Sequence, residues 1–328
     1  MKTLDIVVTH YNEEWKIGKK IFDMIGLQRC IDFNNIKVLV VNDGGSRLPD
    51  YELSSYDYAI EQIDIPHGGV SMARNAGIDH STSDWIMFCD FDDCFASLYS
   101  LREFINSIQN DKYDMLWTGL IAEDYLENKE LLYYVPDKQR FVFCHGKVYR
   151  TAFLRESGIR FDPSLVFNED SCFNAVIIAR TSYKRIGEIK SEIPLYVWIR
   201  RDSSVTNSGR TDEATYGHFR RNLIVTGEYE NSGDDRYAGM VTRTAYDAYY
   251  MVFGKRNSMQ MRRRIVDEFA PWIAERLDEF GNVSHTELNE IRDVSRSELI
   301  EPDELVPDSH VDVSKWVHCI AEICTKAR

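Results

Sequence analysis

The sequence predicts an α/β domain with helices packed on both faces of a largely parallel sheet. Three observations carry this: strand-like and helix-like segments alternate through the first half, residues 37–41 and 85–89 are continuous apolar runs, and the strands end in polar turns. Residues 4–9 form the first strand. Asn12 can cap the helix that follows, Glu13 and Glu14 suit the positive end of its dipole, and Ile17, Ile21 and Ile25 recur on one face until Gly26. The strand at 37–41 breaks at Asn42-Asp43-Gly44-Gly45, and residues 58–65 give a third strand. Pro66-His67-Gly68-Gly69 opens a helix over 70–79, and the strand at 85–89 runs into Asp90-Phe91-Asp92-Asp93.

Residues 97–110 read as a helix, 113–118 as a strand, the aromatic-rich 131–143 as strand pairing or an edge, and 147–156 as a short helix. Asn168-Glu169-Asp170 caps a further helix with Phe173, Val176 and Ile177 on its core face, and 195–199 is the last strand-like stretch. Beyond Asn207 the pattern fades. Residues 216–228, 237–253, 259–280 and 315–327 look helical, and 301–312 is acidic with Pro302 and Pro307. The expected division is an α/β domain over 1–208 and a mainly helical region over 209–328.

Composition narrows the function. The 328 residues carry 39 Lys+Arg against 53 Asp+Glu, a net charge of −14 that argues against a general polyanion binder. With 44 % hydrophobic and 28 % charged residues the chain has the mix of a globular protein. The longest apolar runs, such as 38–41 and 175–179, fall short of the roughly 18 residues that a membrane helix needs. The N-terminus lacks the ordered parts of a secretion signal. Seven scattered cysteines form no C-x-x-C pair, so reduced thiols and a cytoplasmic location are expected. One local exception to the acidity is the basic run Lys255, Arg256, Arg262, Arg263 and Arg264, either a phosphate-holding patch or a solvated helix face.

In open α/β sheets ligands bind outside the carboxyl ends of the strands, so Asp43 and the cluster Asp90 to Asp93 can converge on one site. Asp90 and Asp92, an Asp-x-Asp at a strand's end, offer oxygen ligands for a hard divalent cation and leave positions for phosphate oxygens. Turn-forming surface aspartates would give the same spelling. Arg74 and Asn75, on a helix opened by two glycines, could contact a diphosphate or ribose, although Arg74 taken singly also reads as a salt-bridge residue. Neither a Gly-x-x-x-x-Gly-Lys-Ser/Thr loop nor a Gly-x-Gly-x-x-Gly follows the first strand. A metal-bridged nucleotide is the natural ligand of such a site.

The motifs have a family resemblance. Ile6-Val7-Val8-Thr9-His10-Tyr11-Asn12-Glu13-Glu14, Val40-Val41-Asn42-Asp43-Gly44-Gly45, Ser71-Met72-Ala73-Arg74-Asn75-Ala76-Gly77-Ile78 and Asp90-Phe91-Asp92-Asp93 resemble, in order and spacing, the donor half of family 2 glycosyltransferases, about residues 1–95. Gly146-Lys147-Val148-Tyr149-Arg150, Gly158-Ile159-Arg160-Phe161-Asp162 and Asn168-Glu169-Asp170 resemble its acceptor half, about 96–208. The resemblance stops near residue 207.

It implies a GT-A fold, a Rossmann-like mixed sheet with helices on both faces, that moves a sugar from a nucleotide diphosphate, usually UDP, with Mn2+ or Mg2+ neutralising the departing diphosphate. By motif position Thr9, Tyr11, Glu13 and Asp43 would hold base and ribose, Arg74 the nucleotide, and Asp90 and Asp92 the ribose and metal, with Asp93 adjacent on the donor side. Asp170 would be the base that takes the acceptor proton, as in inverting members, and Glu169 would orient the acceptor. His145, Lys147 and Arg200 would lie on the acceptor or diphosphate side. His10, Asn42 and Gly45 depart from the family's usual residues. No Gln-x-x-Arg-Trp motif is present, so transfer of a single sugar is expected rather than processive synthesis. By analogy the acceptor would be a surface glycan or a lipid-linked precursor; the basic run motivates a modified base in DNA as the alternative. A non-catalytic sugar-nucleotide binding module or a nucleotidyltransferase would share the same first half.

Overall fold

A computed structural model describes residues 1–125, 131–135, 142–199, 212–299 and 310–327. The chain forms two compact units, Met1–Ser164 with Glu169–Asn207, and Leu165–Asn168 with Ser208–Arg328.

The first unit opens with β1 (Leu4–His10), α1 (Trp15–Gly26), β2 (Ile36–Asp43), α2 (Asp50–Leu53), β3 (Ala59–Ile65), α3 (Val70–His80) and β4 (Trp85–Asp90). It continues with β5 (Cys94–Phe95), α4 (Ser100–Ser107), β6 (Met115–Trp117), β7 (Leu120–Tyr125), β8 (Leu131–Tyr134), β9 (Lys147–Arg150), α5 (Thr151–Glu156), α6 (Glu169–Arg180), β10 (Ile186–Glu188) and β11 (Tyr196–Ile199). Seven strands form one sheet in the order β10-β6-β9-β4-β1-β2-β3, and β5-β11-β7-β8 form a second. Strands β4, β1, β2 and β3 run parallel, which fits their apolar spelling: Leu4, Ile6, Val7 and Val8 of β1 and Val38 to Val41 of β2 are wholly buried. On α1, Ile21, Phe22 and Ile25 make the buried stripe.

Two helices approach the sheet through glycines. A Cβ at Gly77 of α3 would stand 2.5 Å from Val7 Cγ1, and one at Gly18 of α1 would stand 2.0 Å from the Phe91 ring. Phe91 is the residue between Asp90 and Asp92, so the seating of α1 also fixes the carboxylate turn.

Three local expectations are corrected. Asn12 does not cap α1: it takes φ 59°, its Oδ1 accepts from the Ser46 amide at 2.9 Å, and the helix starts at Trp15. Residues 147–156 are not one helix. Lys147 to Arg150 form β9, antiparallel to both β4 and β6, and the helix begins only at Thr151, so the sheet is mixed. The cause is packing, since Val148 and Tyr149 are wholly buried and a Val-Tyr pair fits a pleated surface. Asn168 takes φ 65°, unlike the extended backbone of an ordinary N-cap.

The second unit is helical: α7 (Asp212–Ser232), α8 (Tyr237–Phe253), α9 (Met259–Ala274), α10 (Leu277–Phe280), α11 (His285–Leu299) and α12 (His310–Ala327). Phe219, Ala245, Tyr246, Ile265, Phe269, Ile273, Val313 and Val317 form its core. Helix α11 was not foreseen in the sequence, because little of it is apolar and only Leu288 and Ser295 are buried. The basic run is partly built into this unit. Arg262 donates to the Gly254 and Asn257 carbonyls at 2.6 and 3.0 Å, and the Arg264 guanidinium lies 3.4 Å from the Tyr216 ring centroid. No helix of the described residues is long and apolar enough to cross a membrane.

Gly18→Ala tests the seating of α1. Alanine alone would favour a helix by about 1 kcal/mol, but the methyl must displace Phe91, and overpacking of this kind costs about 1–3 kcal/mol. Urea denaturation is expected to show net destabilisation, with Phe91→Leu restoring part of it.

Candidate active site

The parallel register brings the carboxyl ends of three strands together: Thr9 of β1 pairs with Val41 of β2 and with Asp90 of β4, and His10 pairs with Asn42. Asp43 therefore ends β2 beside the β1 turn.

Asp43 organises a loop. Its Oδ1 accepts from the Gly68 amide at 2.7 Å, its Oδ2 from the Gly69 amide at 2.9 Å, and His67 Nδ1 lies 2.9 Å from Oδ2. His67 stacks on Tyr11 with ring centroids 4.3 Å apart, and both rings remain open to solvent. Glu13 turns back on the chain, where its Oε2 accepts from the Tyr11 amide at 2.6 Å. Thr9, Tyr11, Glu13 and Asp43 thus build one ledge at the strand ends, with the Tyr11–His67 stack as its aromatic surface.

Beside the ledge lies a buried charge network. Arg74, on α3 and 3 % exposed, donates through one terminal nitrogen to Asp90 Oδ1 at 3.0 Å and through the other to Glu169 Oε1 at 2.9 Å. The second Asp90 oxygen lies 3.1 Å from His145 Nε2, an ion pair. Burial opposes ionisation of Asp90, yet His145 and Arg74 outweigh it and hold the carboxyl well below its usual range. Burial likewise works against the imidazolium of His145, and Asp90 and Asp93 overcome it, lifting that pKa to about 9.

Asp93 differs from the expectation that it faces the donor. It is wholly buried, its Oδ2 accepts from the Tyr196 hydroxyl at 2.8 Å, and its Oδ1 accepts from the Ile199 amide at 2.9 Å. It ties the carboxylate turn to β11. Burial, together with the charges of Asp90 and Asp92, raises its pKa to about 8 against the pull of His145. The half-buried Asp92 stands between these two aspartates in sequence.

Glu169 and Asp170 occupy the first turn of α6. Burial and the neighbouring Asp170 charge raise the Glu169 pKa to about 7, with Arg74 pulling the other way. Asp170 Oδ1 accepts from the Ser171 amide at 2.7 Å. Lys147 is 1 % exposed, its ammonium donates to the Phe143 carbonyl, and burial lowers its pKa to about 8. His145, expected on the acceptor side, reaches the donor-side Asp90 as well. Arg200 lies outside the described residues.

Two contributors escaped the sequence reading. Cys144 is wholly buried, and its Sγ lies within 4.8 Å of ligand atoms of His145 and Asp170. Asn174 of α6 donates to the Phe143 carbonyl at 3.0 Å and accepts from the Tyr149 hydroxyl at 2.8 Å, which holds the segment leading to Cys144 and His145 against α6. An amide on the apolar face of a helix is the only sequence signal for it.

Residues 5–163 match the family described as glycosyl transferase family 2. This unit belongs to glycosyltransferase family 2. Among sequence relatives, the uncharacterized glycosyltransferase EpsJ of Bacillus subtilis is 24 % identical over 214 residues, 55 % of this chain and 59 % of EpsJ. The minor teichoic acid biosynthesis protein GgaB of the same organism is 26 % identical over 244 residues, 67 % of this chain and 26 % of GgaB. The chain thus spans less than two thirds of the length of these relatives. Among solved structures, S. aureus TarS 1–349 in complex with UDP-GlcNAc is 15 % identical with a TM-score of 0.67, covering 99 % of this chain and 92 % of that one. The family 2 unit therefore has the GT-A fold.

The raised pKa of Glu169 sets a sign. Between pH 4.5 and about 7 the folded chain holds a proton there that the unfolded chain has released, so stability from this group is complete below 4.5 and is lost as pH rises through 7. The slope is up to about 1.4 kcal/mol per pH unit. Urea denaturation at pH 5, 6 and 7 is expected to show falling stability, and Glu169→Gln is expected to flatten the fall.

Proposed function

We propose that this protein transfers a single sugar from a nucleoside diphosphate, UDP by preference, to a hydroxyl of a cell-surface glycan. The observation that carries the reading is the Arg74 bridge: one buried guanidinium holds Asp90 of the donor motif and Glu169 of the acceptor motif, so both sets of carboxylates share one site. The family of residues 5–163 supports the reaction class, and the teichoic acid role in the name of GgaB supports a surface polymer as acceptor. TarS, which shares the fold, has been solved with UDP and with UDP-GlcNAc. The seven free cysteines agree with a cytoplasmic location.

In this reading the ledge of Thr9, Tyr11, Glu13 and Asp43 receives the nucleoside, with the base against the Tyr11–His67 stack. Arg74 keeps Asp90 and Glu169 in register across the diphosphate. Asp170 takes the proton of the acceptor hydroxyl while its oxygen bonds to the anomeric carbon and the bond to the diphosphate breaks, the diphosphate leaving with the electron pair. Glu169 orients the acceptor, and Lys147 and His145 stabilise charge beside it. Donor binding falls to 1–95 and acceptor binding to 96–208.

The residues also fit Mn2+ or Mg2+. Asp90 and Asp92 offer the carboxylate oxygens that such hard ions take. Asp90 and Asp92 both act electrostatically on Asp93, so their charges lie close together at this turn. Held by Asp90 and Asp92, the ion would neutralise the leaving diphosphate. The alternative DNA acceptor is not part of the proposal, since Arg262 and Arg264 of the basic run are engaged inside the helical unit.

The test is calorimetric titration of UDP with and without Mn2+, with GDP for comparison. Metal-dependent UDP binding is expected, lost in Asp92→Ala. Asp170→Asn is expected to lower the transfer rate by about 10²–10⁴ and leave UDP affinity unchanged; equal loss of both would remove Asp170 from the role of base.

A further inference from the structure

We infer that Cys144, His145 and Asp170 form a second metal site, selective for a thiophilic divalent ion such as Zn2+, whose occupation switches the enzyme off. The inference rests on the reading of Asp170 as the base. One sulfur, one imidazole nitrogen and one carboxylate oxygen, all within 4.8 Å of one another, make the mixed donor set that zinc favours and that Mg2+ and Mn2+ do not. Ligand atoms about 2.0–2.3 Å from a tetrahedral ion stand roughly 3.3–3.8 Å apart. Small side-chain rotations would close the group.

A second observation points the same way. His145 Nδ1 has no hydrogen-bond partner although the residue is only 5 % exposed, while Nε2 faces Asp90 at 3.1 Å. A buried ring nitrogen without a partner is a ligand atom in waiting. Cys144 is inaccessible and Asp170 is half-buried, so entry is from the Asp170 side, and three protein ligands leave a fourth position for water. As the ion binds, the thiol proton leaves Cys144 with formation of the metal–sulfur bond, and the imidazolium proton leaves His145; both pass to solvent. Arg74 and Lys147 lie close enough to feel the Cys144 charge and oppose a dication, while Glu169 and Asp90 favour it.

The consequence is competition for two groups that the reaction uses. Zinc would take the carboxylate of Asp170 and draw His145 away from Asp90, so hard and soft metals would have opposite effects on one centre.

Cobalt absorption tests this without depending on transfer. The full chain carrying Cys30→Ser, Cys319→Ser and Cys324→Ser, which removes the three thiols that are not buried, is titrated with Co2+. One equivalent per chain is expected to give a thiolate-to-cobalt charge-transfer band in the near ultraviolet and intense tetrahedral bands in the visible. Cys144→Ser is expected to abolish the charge-transfer band, and equimolar Zn2+ to displace the cobalt. In case Cys144→Ser fails to fold, Asp170→Asn is the second variant: it keeps the band but needs more cobalt to develop it. Absence of the band, or a titration unchanged in the variants, would overturn the site. Where transfer is measurable, Zn2+ is expected to abolish it in the chain with Cys144 and to spare it in Cys144→Ser. A cobalt spectrum of the expected form without any transfer would leave the metal site standing and count against the enzyme reading instead.

Discussion

A guanidinium that is 3 % exposed cannot be left without anions, and Arg74 finds them in Asp90 and Glu169. Those carboxylates come from different elements, the end of β4 and the first turn of α6, and are 16 and 95 residues from Arg74 in sequence. Removing the cation would strand two buried acids, and breaking a buried pair in this way costs about 3–5 kcal/mol. The approach of α3 to β1 over Gly77, the seating of Phe91 on α1 and the position of α6 therefore all bear on one charge. Net stabilisation by such a network is small against well-packed apolar residues; what it supplies is geometry.

The network also explains why the site mixes ionisation states. Asp90 is flanked by two cations and stays ionised, whereas Asp93, close by and wholly buried, faces the same histidine at 3.8 Å and is pushed up. Glu169 shares Arg74 with Asp90, but burial and then the Asp170 charge raise its pKa to about 7. Carboxyl groups of one chemical type are spread over several pH units by their neighbours. An active centre that must hold anions and move one proton needs that spread.

Much of this was legible in the sequence, for physical reasons that also mark where legibility ends. Strands β1, β2 and β4 announce themselves because burial on both faces demands unbroken apolar runs, and their polar ends mark the ligand edge. Strand β9 does not, because four residues with Lys and Arg at the ends carry no period, and only the sheet around Val148 and Tyr149 makes them extended. Asp90, Asp92 and Asp93 are alike in spelling. That Asp93 turns inward depends on Tyr196 and Ile199, more than 100 residues away. The pairing of Arg74 with Glu169 is hidden for the same reason, whereas the motifs that contain them are local and readable.

The inserted antiparallel strand is what joins the two halves of the site. Were the sheet parallel throughout, a crossover would be needed on each side of β4, and the segment before β9 would lie at the far edge from Asp90. Because β9 runs against β4, its start stands beside the end of β4, and His145, in the segment that leads into it, meets Asp90 there with Cys144 next to it in sequence. Asn174 pins the same segment to α6 through the Phe143 carbonyl, so Asp170 joins them from the other side. The reversal of one short strand therefore sets donor carboxylate, histidine, thiol and candidate base within reach of one another, and the competition between hard and soft cations follows from that placement.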